Sequence, residues 1–236
     1  MKKIINLILN LLPYDSQIMN SSRFFRVISK YYIGRKRINK DYSFDSMSIN
    51  DNEFSVFSQH GEDGILNFIF SKIGFYNKKT IEIGAGFSEN NSLFILSKYK
   101  LSSLLIDGDP INTSILNRFN KCFLKTDSIA IDKWITEENI NSIISKYVKE
   151  FEIDLLSIDI DGNDYWIWKA IDCVNPRVVC IEYNASFYNH SITVPYENDF
   201  DRSNFIHEPK KQMWYHGASL EALHKKLKSF CLVNLP

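Results

Sequence analysis

The chain has 236 residues, of which 44% are hydrophobic and 24% are charged. These values fit one domain with a substantial core and exclude a disordered chain. The net charge of zero excludes a wholly basic nucleic-acid-binding protein, so we expect no nucleic acid among its partners. The charge is unevenly distributed, because residues 1–40 hold nine Lys and Arg and only one Asp. A basic segment therefore precedes an acidic body.

The basic segment has apolar residues at helical spacing, which predicts helices over 1–12 and 17–33. A basic cluster at 35–37 and a polar linker follow. One interpretation is an amphipathic arm that binds peripherally to the anionic inner face of a membrane. The alternative is a helix that packs on the body and keeps its charges in solvent. We expect a basic helical arm and linker over 1–50 and an α/β domain over 51–236.

The cysteines and the hydropathy indicate the compartment. The four cysteines lack the spacing of a zinc site or of a disulfide framework, which favours a reducing, cytoplasmic environment. No stretch approaches the roughly 20 apolar residues that a membrane-spanning helix needs. The cysteines are Cys122, Cys173, Cys180 and Cys231.

Short apolar runs alternate with helical segments from residue 56 onward. This order predicts βαβ units and a mostly parallel sheet with helices on both faces. After a long loop, a helix over 217–229 and a last strand over 230–236 are expected. The other predicted strands are 80–84, 103–107, 122–127, 154–161 and 178–184, and the helices are 62–73, 89–99, 111–119, 137–150 and 164–172.

Acidic residues mark the predicted carboxyl ends of the strands, where open parallel sheets bind their ligands. The first strand contains Glu82, and the next three strands end in Asp107, Asp127 and the pair at 159 and 161. The turn after the first strand is Gly84, Ala85 and Gly86. Together these residues predict an acid-lined rim beside a glycine turn.

The rim favours a nucleoside cofactor that carries no phosphate. Asp107 follows Gly86 by 21 residues, the spacing of an acid that holds ribose hydroxyls. A dinucleotide normally requires a third glycine where this chain has Glu89, and a carboxylate there repels phosphate. S-adenosylmethionine fits this pattern, and NAD remains the alternative cofactor.

The predicted cofactor contacts follow from the strand order. We expect Glu82 to face the methionine end of S-adenosylmethionine and Asp107 to hold the ribose. Asp127 or Ser128 would then contact the adenine amino group, and Gly84, Ala85 and Gly86 would let the cofactor approach the backbone.

Six segments of the body resemble the FkbM-related branch of class I S-adenosylmethionine-dependent methyltransferases. The resemblance covers roughly residues 56–233. It implies a Rossmann-like doubly wound sheet and methyl transfer to oxygen, often on sugars, polysaccharide precursors or polyketides. The segments are F-S-Q-H-G-E-D-G-I-L (57–66), I-E-I-G-A-G (81–86), L-L-S-I-D-I-D-G-N-D-Y-W-I-W (155–168), V-V-C-I-E-Y-N (178–184), V-P-Y-E (194–197) and Y-H-G-A-S-L-E-A-L (215–223).

We expect this chain to differ from the family at the last strand of the sheet. Its members continue through a hairpin to a last antiparallel strand, and we expect this chain to lack that strand. The missing strand keeps a second interpretation open, a methyltransferase-like binding module without turnover.

Oxygen ligands near the fourth and fifth strand ends predict a metal site. Asp159 and Asp161 are two residues apart, as are Glu182 and Asn184, so each pair would share a face of its strand. The pattern is similar to that of metal-dependent O-methyltransferases, although E-Y-N replaces their adjacent D-N. We predict that Asp159, Glu182 and Asn184 bind Mg²⁺. Asp159, Asp161 and His190 are the predicted catalytic residues.

Residues 185–216 show no period, and loops of this length are usually functional. The segment is rich in aromatic residues and histidine. We expect it to select a small-molecule or glycan acceptor, with His190 and His216 nearest the substrate.

Overall fold

The computed structural model describes residues 22–42, 48–205 and 214–233. The predicted helix over 1–12 and the start of the predicted helix over 17–33 lie outside these residues. Within them, no helix is long and apolar enough to cross a membrane. The helices are α1 (Ser22–Ile38), α2 (Glu62–Ile73), α3 (Leu93–Tyr99), α4 (Pro110–Phe119), α5 (Ile140–Tyr147), α6 (Asp164–Ala170) and α7 (Leu220–Val233), and the strands are β1 (Lys79–Ile83), β2 (Ser102–Asp107), β3 (Ile129–Asp132), β4 (Glu152–Ile158) and β5 (Asn175–Ile181).

The five strands form one parallel sheet in the order β3-β2-β1-β4-β5. Ile83 pairs with Ile106 of β2 and with Ile158 of β4, so three carboxyl ends lie level. The chain runs outward from β1 through β3 and then returns to the other side of β1 at β4. Such a reversal opens a crevice between the two loops that follow β1 and β4.

Helices cover both faces of the sheet, which confirms the predicted doubly wound, Rossmann-like α/β fold. Neighbouring strand residues point to opposite faces. Leu105 and Leu155 belong to the core beneath α1 to α4, and Leu104 and Leu156 belong to the core beneath α5 to α7.

Helix α1 packs on the body, as the second interpretation of the basic segment predicts. Phe24, Val27 and Ile28 are buried in the first core, whereas the basic residues at 35–37 are exposed. Lys30 donates to the carbonyl oxygen of Phe57 at 3.1 Å and is also bonded to the Ser88 carbonyl. The described part of the arm is thus continuous with the α/β core. Membrane binding by its exposed basic face stays a prediction.

The predicted third strand, 122–127, is wrong. Residues 120–124 form a π-helical turn that continues α4, and the strand begins at Ile129. The apolar run is buried under α1 instead of in the sheet, because Phe123 packs on Phe119 with ring centroids 5.3 Å apart and on Tyr31 at 5.5 Å.

The predicted last strand is also wrong where it can be compared, because helix α7 extends through residue 233. Apolar residues at 223, 227 and 230 keep helical spacing, so the helix continues through the apolar run. Residues 234–236 lie outside the described residues. In the described part of the chain, β5 has a neighbouring strand on one side only.

Candidate active site

A cleft of about 380 Å³ opens at the carboxyl edge of the sheet. Loops that follow β1, β2, β3 and β4 form its walls, so it occupies the crevice that the strand order predicts. Residues that line it include Gly84, Gly86, Glu89, Asp107, Asn112, Lys133, Trp134, Asp159, Asp161 and Phe200.

The glycine turn brings β1 and β4 together at the cleft. Gly84 has a φ of +84°, and a side chain there would overlap the carbonyl oxygen of Asp159. The amides of Gly84 and Ala85 both donate to the Ile106 carbonyl, at 2.8 and 2.9 Å. Gly84 and Gly86 therefore line the cleft as predicted, whereas Ala85 is buried in the core.

Glu82 does not face the cleft, so its predicted contact with the methionine end is wrong. Its side chain is 1% exposed and accepts hydrogen bonds from the amides of Asn91, at 2.8 Å, and Ser92, at 3.1 Å. The Ser92 hydroxyl also donates to it. Burial raises the pKa of Glu82 to about 7, against the opposing effect of these donors. Glu82 therefore holds the start of α3.

Asp107 lies where the sequence predicts, at the end of β2 and in the wall of the cleft. Its Oδ1 accepts from the Asp109 amide at 2.7 Å and from Asn112 Nδ2 at 3.1 Å. Its Oδ2 has no hydrogen-bond donor within the described residues. Burial raises the pKa of this half-buried carboxyl above its usual range. One oxygen is thus oriented by the protein and the other is free to accept hydrogen bonds.

Asp127 and Ser128 lie at the opposite edge of the sheet, which corrects their assignment to adenine. Both precede β3, because that strand begins two residues after Asp127. Ser128 Oγ accepts from the Ser103 amide at 3.0 Å, and the Asp127 carbonyl accepts from Ser102 Oγ at 3.2 Å. These contacts place them beside the amino end of β2.

Trp134 takes the position that the sequence assigned to Asp127. It follows the true end of β3 at Asp132, and its side chain is 57% exposed at the cleft. A Cβ on Gly108 would lie 3.3 Å from the ring, and Nε1 donates to the Asn198 carbonyl at 2.7 Å. The sequence carries a signal for this residue, because an aromatic side chain two positions after a strand end lies at the cleft. The signal was missed because the third strand was predicted at 122–127.

Three carboxylates converge where β4 and β5 end. One oxygen each from Asp159, Asp164 and Glu182 lies within 4.8 Å of the other two. Asp164 is fully buried, and it accepts from the amides of Ile160, at 2.8 Å, and Gly162, at 2.9 Å. Burial raises the pKa of Asp164 to about 6.

Asp159 occupies the boundary between this cluster and the cleft. Its side chain is exposed and lines the cleft. The loss of hydration and then the nearby Glu182 and Asp164 carboxylates raise the pKa of Asp159 to about 8. The prediction that Asp159 belongs to an acidic cluster at the strand ends is confirmed.

Asp161 lines the cleft but does not share a strand face with Asp159. Strand β4 ends at Ile158, and Asp161 has a φ of +57° in the following turn. Its exposed carboxylate forms an ion pair with Arg202. The alternation of side chains along a strand therefore does not apply to this pair.

Asn184 positions a neighbouring segment, so its side chain does not join the carboxylate cluster. It is buried, with Oδ1 accepting from the Ser186 amide at 3.0 Å. Its Nδ2 donates to the carbonyls of Trp214, at 2.7 Å, and His216, at 3.0 Å. The Asn184 amide donates to the Ala218 carbonyl at 2.7 Å. These bonds hold residues 214–218 beside the end of β5.

That segment brings His216 to the carboxylates. Its Nδ1 lies 3.6 Å from Oε2 of Glu182. His190, in contrast, is exposed and does not line the cleft, and its backbone amide donates to the Phe187 carbonyl at 3.2 Å. Of the two histidines predicted near the substrate, the structure brings His216 to the acidic cluster.

No protein-family model and no curated protein matches this chain. The resemblance to FkbM-related methyltransferases therefore stays a prediction. The doubly wound fold rests on the parallel sheet and its two covered faces.

Proposed function

We propose that the chain is an S-adenosylmethionine-dependent methyltransferase that modifies a hydroxyl group of a small acceptor, such as a sugar or a polysaccharide precursor. The observation that carries the proposal is the free Oδ2 of Asp107 in a cleft beside a glycine turn. A carboxylate at this strand end is suited to accept hydrogen bonds from two ribose hydroxyls.

The surroundings of Asp107 support a nucleoside. Trp134 offers an exposed aromatic ring against Gly108, the residue next to Asp107. A flat base packs well on such a ring because stacking buries apolar area on both partners. A ribose bound to Asp107 would place its base on this side of the cleft.

The charge of the cleft supports a cationic cofactor. Four acidic side chains line it, of which Asp159 keeps its proton up to about pH 8, against the single ammonium of Lys133 among the described lining residues. An excess of negative charge attracts a sulfonium or ammonium group and repels a pyrophosphate. The carboxylates belong to Glu89, Asp107, Asp159 and Asp161.

The start of α3 also argues against a dinucleotide. A pyrophosphate normally binds the free amides of the helix that follows the glycine turn. Here Glu82 already accepts from the amides of Asn91 and Ser92, and Asn90 Oδ1 accepts from the Leu93 amide at 2.8 Å. Because these donors are satisfied inside the protein, NAD loses its usual anchor.

The cofactor would supply a methyl group on a positively charged sulfur. On transfer, the acceptor oxygen would bond to the methyl carbon, the C–S electron pair would stay on sulfur, and the hydroxyl proton would pass to a carboxylate of the cleft wall or to water. The protein mainly has to align the three atoms, a contribution of roughly 7–11 kcal/mol in well-oriented reactions. Asp159, at the β4 side of the cleft, marks the end where the acceptor would lie.

The test compares Asp107 with Asp127, because the sequence predicted both at the carboxyl ends of strands. S-adenosylhomocysteine should raise the unfolding temperature of the full chain, because a ligand that binds the folded state stabilises it. Asp107→Asn should weaken this binding by about tenfold or more, since it removes a charged acceptor. Asp127→Asn is the matched control, because Asp127 is exposed at the other edge of the sheet. Equal binding by both variants would refute the ribose assignment.

A further inference from the structure

Residues 194–200, which we call the bridging segment, join two walls of the cleft. On the β4 side, Asn163 donates from Nδ2 to the Glu197 carbonyl at 2.6 Å. On the β3 side, Trp134 donates from Nε1 to the Asn198 carbonyl at 2.7 Å. Strands β2 and β1 lie between β3 and β4 in the sheet, and both donors line the cleft. The bridging segment therefore connects two walls that the sheet holds apart.

Both ends of the bridging segment are anchored in the protein. Val194 is buried, and its amide donates to the Gly217 carbonyl at 3.0 Å. Phe200 is buried and lines the cleft, and a Cβ on Gly162 would overlap its ring. Residues 197–199, between these anchors, are exposed. The segment is thus fixed at its ends, and its middle depends on the hydrogen bonds that it makes to the cleft walls.

The Tyr196 hydroxyl adds a second connection on the β3 side. It accepts from the Glu137 amide at 2.9 Å and donates to Oδ1 of Asn198. Glu137 follows Trp134 by three residues, so both connections join Asn198 to the same loop. Trp134 is 57% exposed, and exposed side chains change rotamer within nanoseconds unless a partner holds them. The two connections therefore hold the indole ring in one direction.

We propose that Tyr196 is a positioning residue for nucleoside binding. It holds Asn198, and through Asn198 the Trp134 ring, in the orientation that receives the base. This role rests on the proposed function, because it requires a base that stacks on Trp134. A ligand loses affinity when it has to immobilise side chains, and a ring that is already held avoids that loss. Part of the loop over 185–216 would thereby serve the cofactor side of the cleft, whereas the sequence predicted a role in selecting the acceptor.

Calorimetric titration of the full chain with S-adenosylhomocysteine measures the effect of the hydroxyl. Tyr196→Phe removes only this group and should weaken binding by about threefold or more. Asn198→Ala removes the acceptor of the hydroxyl but keeps the carbonyl that binds Trp134, and it repeats the test should Tyr196→Phe fail to fold. Tyr188→Phe is the matched control, because Tyr188 is 80% exposed and does not line the cleft. Its affinity should stay within about twofold of the native value.

A double-mutant cycle separates positioning from a merely structural role. Trp134→Phe keeps an aromatic ring but removes the Nε1 donor, so Asn198 no longer holds the ring. In this background, Tyr196→Phe should change the affinity by less than about twofold, because residues that act through one another are not additive. Equal losses in the two backgrounds would show that Tyr196 does not act through Trp134.

A measurement without ligand distinguishes the failure of this role from the failure of the proposed function. The fluorescence of Trp134 is the difference between a chain and its Trp134→Phe counterpart. Acrylamide should quench this fluorescence more strongly in Tyr196→Phe than in Tyr188→Phe, because the ring is no longer held. If the native chain binds S-adenosylhomocysteine but these two variants agree in affinity and quenching, the role of Tyr196 alone is overturned. If the native chain does not bind it, the proposed function fails and the role of Tyr196 fails with it.

Discussion

The two ends of β4 hold aspartates in opposite environments. Asp154, near the amino end, is fully buried and forms an ion pair with Arg177 at 2.8 Å. Three backbone amides, those of residues 76–78, also donate to it at 2.7–3.1 Å. Asp159, just past the carboxyl end, accepts no hydrogen bond from the described residues and has carboxylates as its nearest charges.

The two environments indicate a structural role for Asp154 and a role in binding for Asp159. At the amino end, three backbone amides and Arg177 donate to Asp154, so the carboxylate joins the loop before β1 to the sheet. At the carboxyl end, no donor among the described residues stabilises the charged form of Asp159, and the neighbouring Glu182 and His216 also have unpaired atoms. Perturbed and unsatisfied groups that share a cleft are typical of ligand sites. The same strand therefore contributes to stability at one end and to binding at the other.

The largest expected effect on stability is at the amino end. Asp154→Ala should reduce the free energy of unfolding by about 3–5 kcal/mol, because Arg177 and three backbone amides lose a fully buried acceptor. Urea-induced unfolding, followed by circular dichroism, measures this change. A loss below about 1 kcal/mol would show that the comparison between the two ends is wrong.

A smaller loss is expected from Arg177→Met, about 1–3 kcal/mol in the same urea experiment. The three amides still hold the Asp154 carboxylate in this variant, and methionine keeps part of the packing of the arginine stem. A loss as large as that of Asp154→Ala would mean that the ion pair, and not the backbone, determines the stability of this end.

The smallest expected effect is that of Asp159→Asn below about pH 4, where neither side chain is charged and the variant should unfold within about 0.5 kcal/mol of the native chain. Its pH dependence is the sharper observable. Because the pKa of Asp159 is raised to about 8 in the folded state, the folded chain keeps a proton that the unfolded chain loses above about pH 4. The stability from this group is complete below pH 4 and disappears as the pH rises to about 8.

Asn cannot titrate, so the stability of Asp159→Asn should fall less steeply than that of the native chain between pH 4 and 8. Urea unfolding at several pH values measures the two slopes. Identical slopes would contradict the crowded, uncompensated environment that distinguishes Asp159 from Asp154.

The sequence predicted the helices and strands that have a clear hydrophobic pattern of their own. The bounds of α2 match the helix predicted at 62–73, and four of the five strands lie within three residues of their predicted starts. Buried runs bounded by glycine or acidic residues make these strands recognisable. The error at β3 arose because a short apolar run suits a buried helical turn as well as a strand, and the contact of Phe123 with Tyr31 decides between them.

For the candidate site, the sequence predicted which residues lie at the carboxyl ends of strands, but not where their side chains point. Asp107 and Asp159 were found because a residue at a carboxyl end must lie near the crevice. The direction of a side chain depends on partners farther along the chain. Glu82 turns to amides nine and ten residues later, and His216 reaches Glu182 because Asn184 holds its segment. These contacts have no local sequence signal.

The central claim, that the cleft at the carboxyl edge binds a nucleoside without phosphates, is tested most directly by calorimetric titration of the full chain with S-adenosylhomocysteine and, in parallel, with NAD. The account predicts that S-adenosylhomocysteine binds and that NAD does not at the same concentrations. Binding of NAD, or no binding of either compound by a chain that unfolds cooperatively, would contradict it.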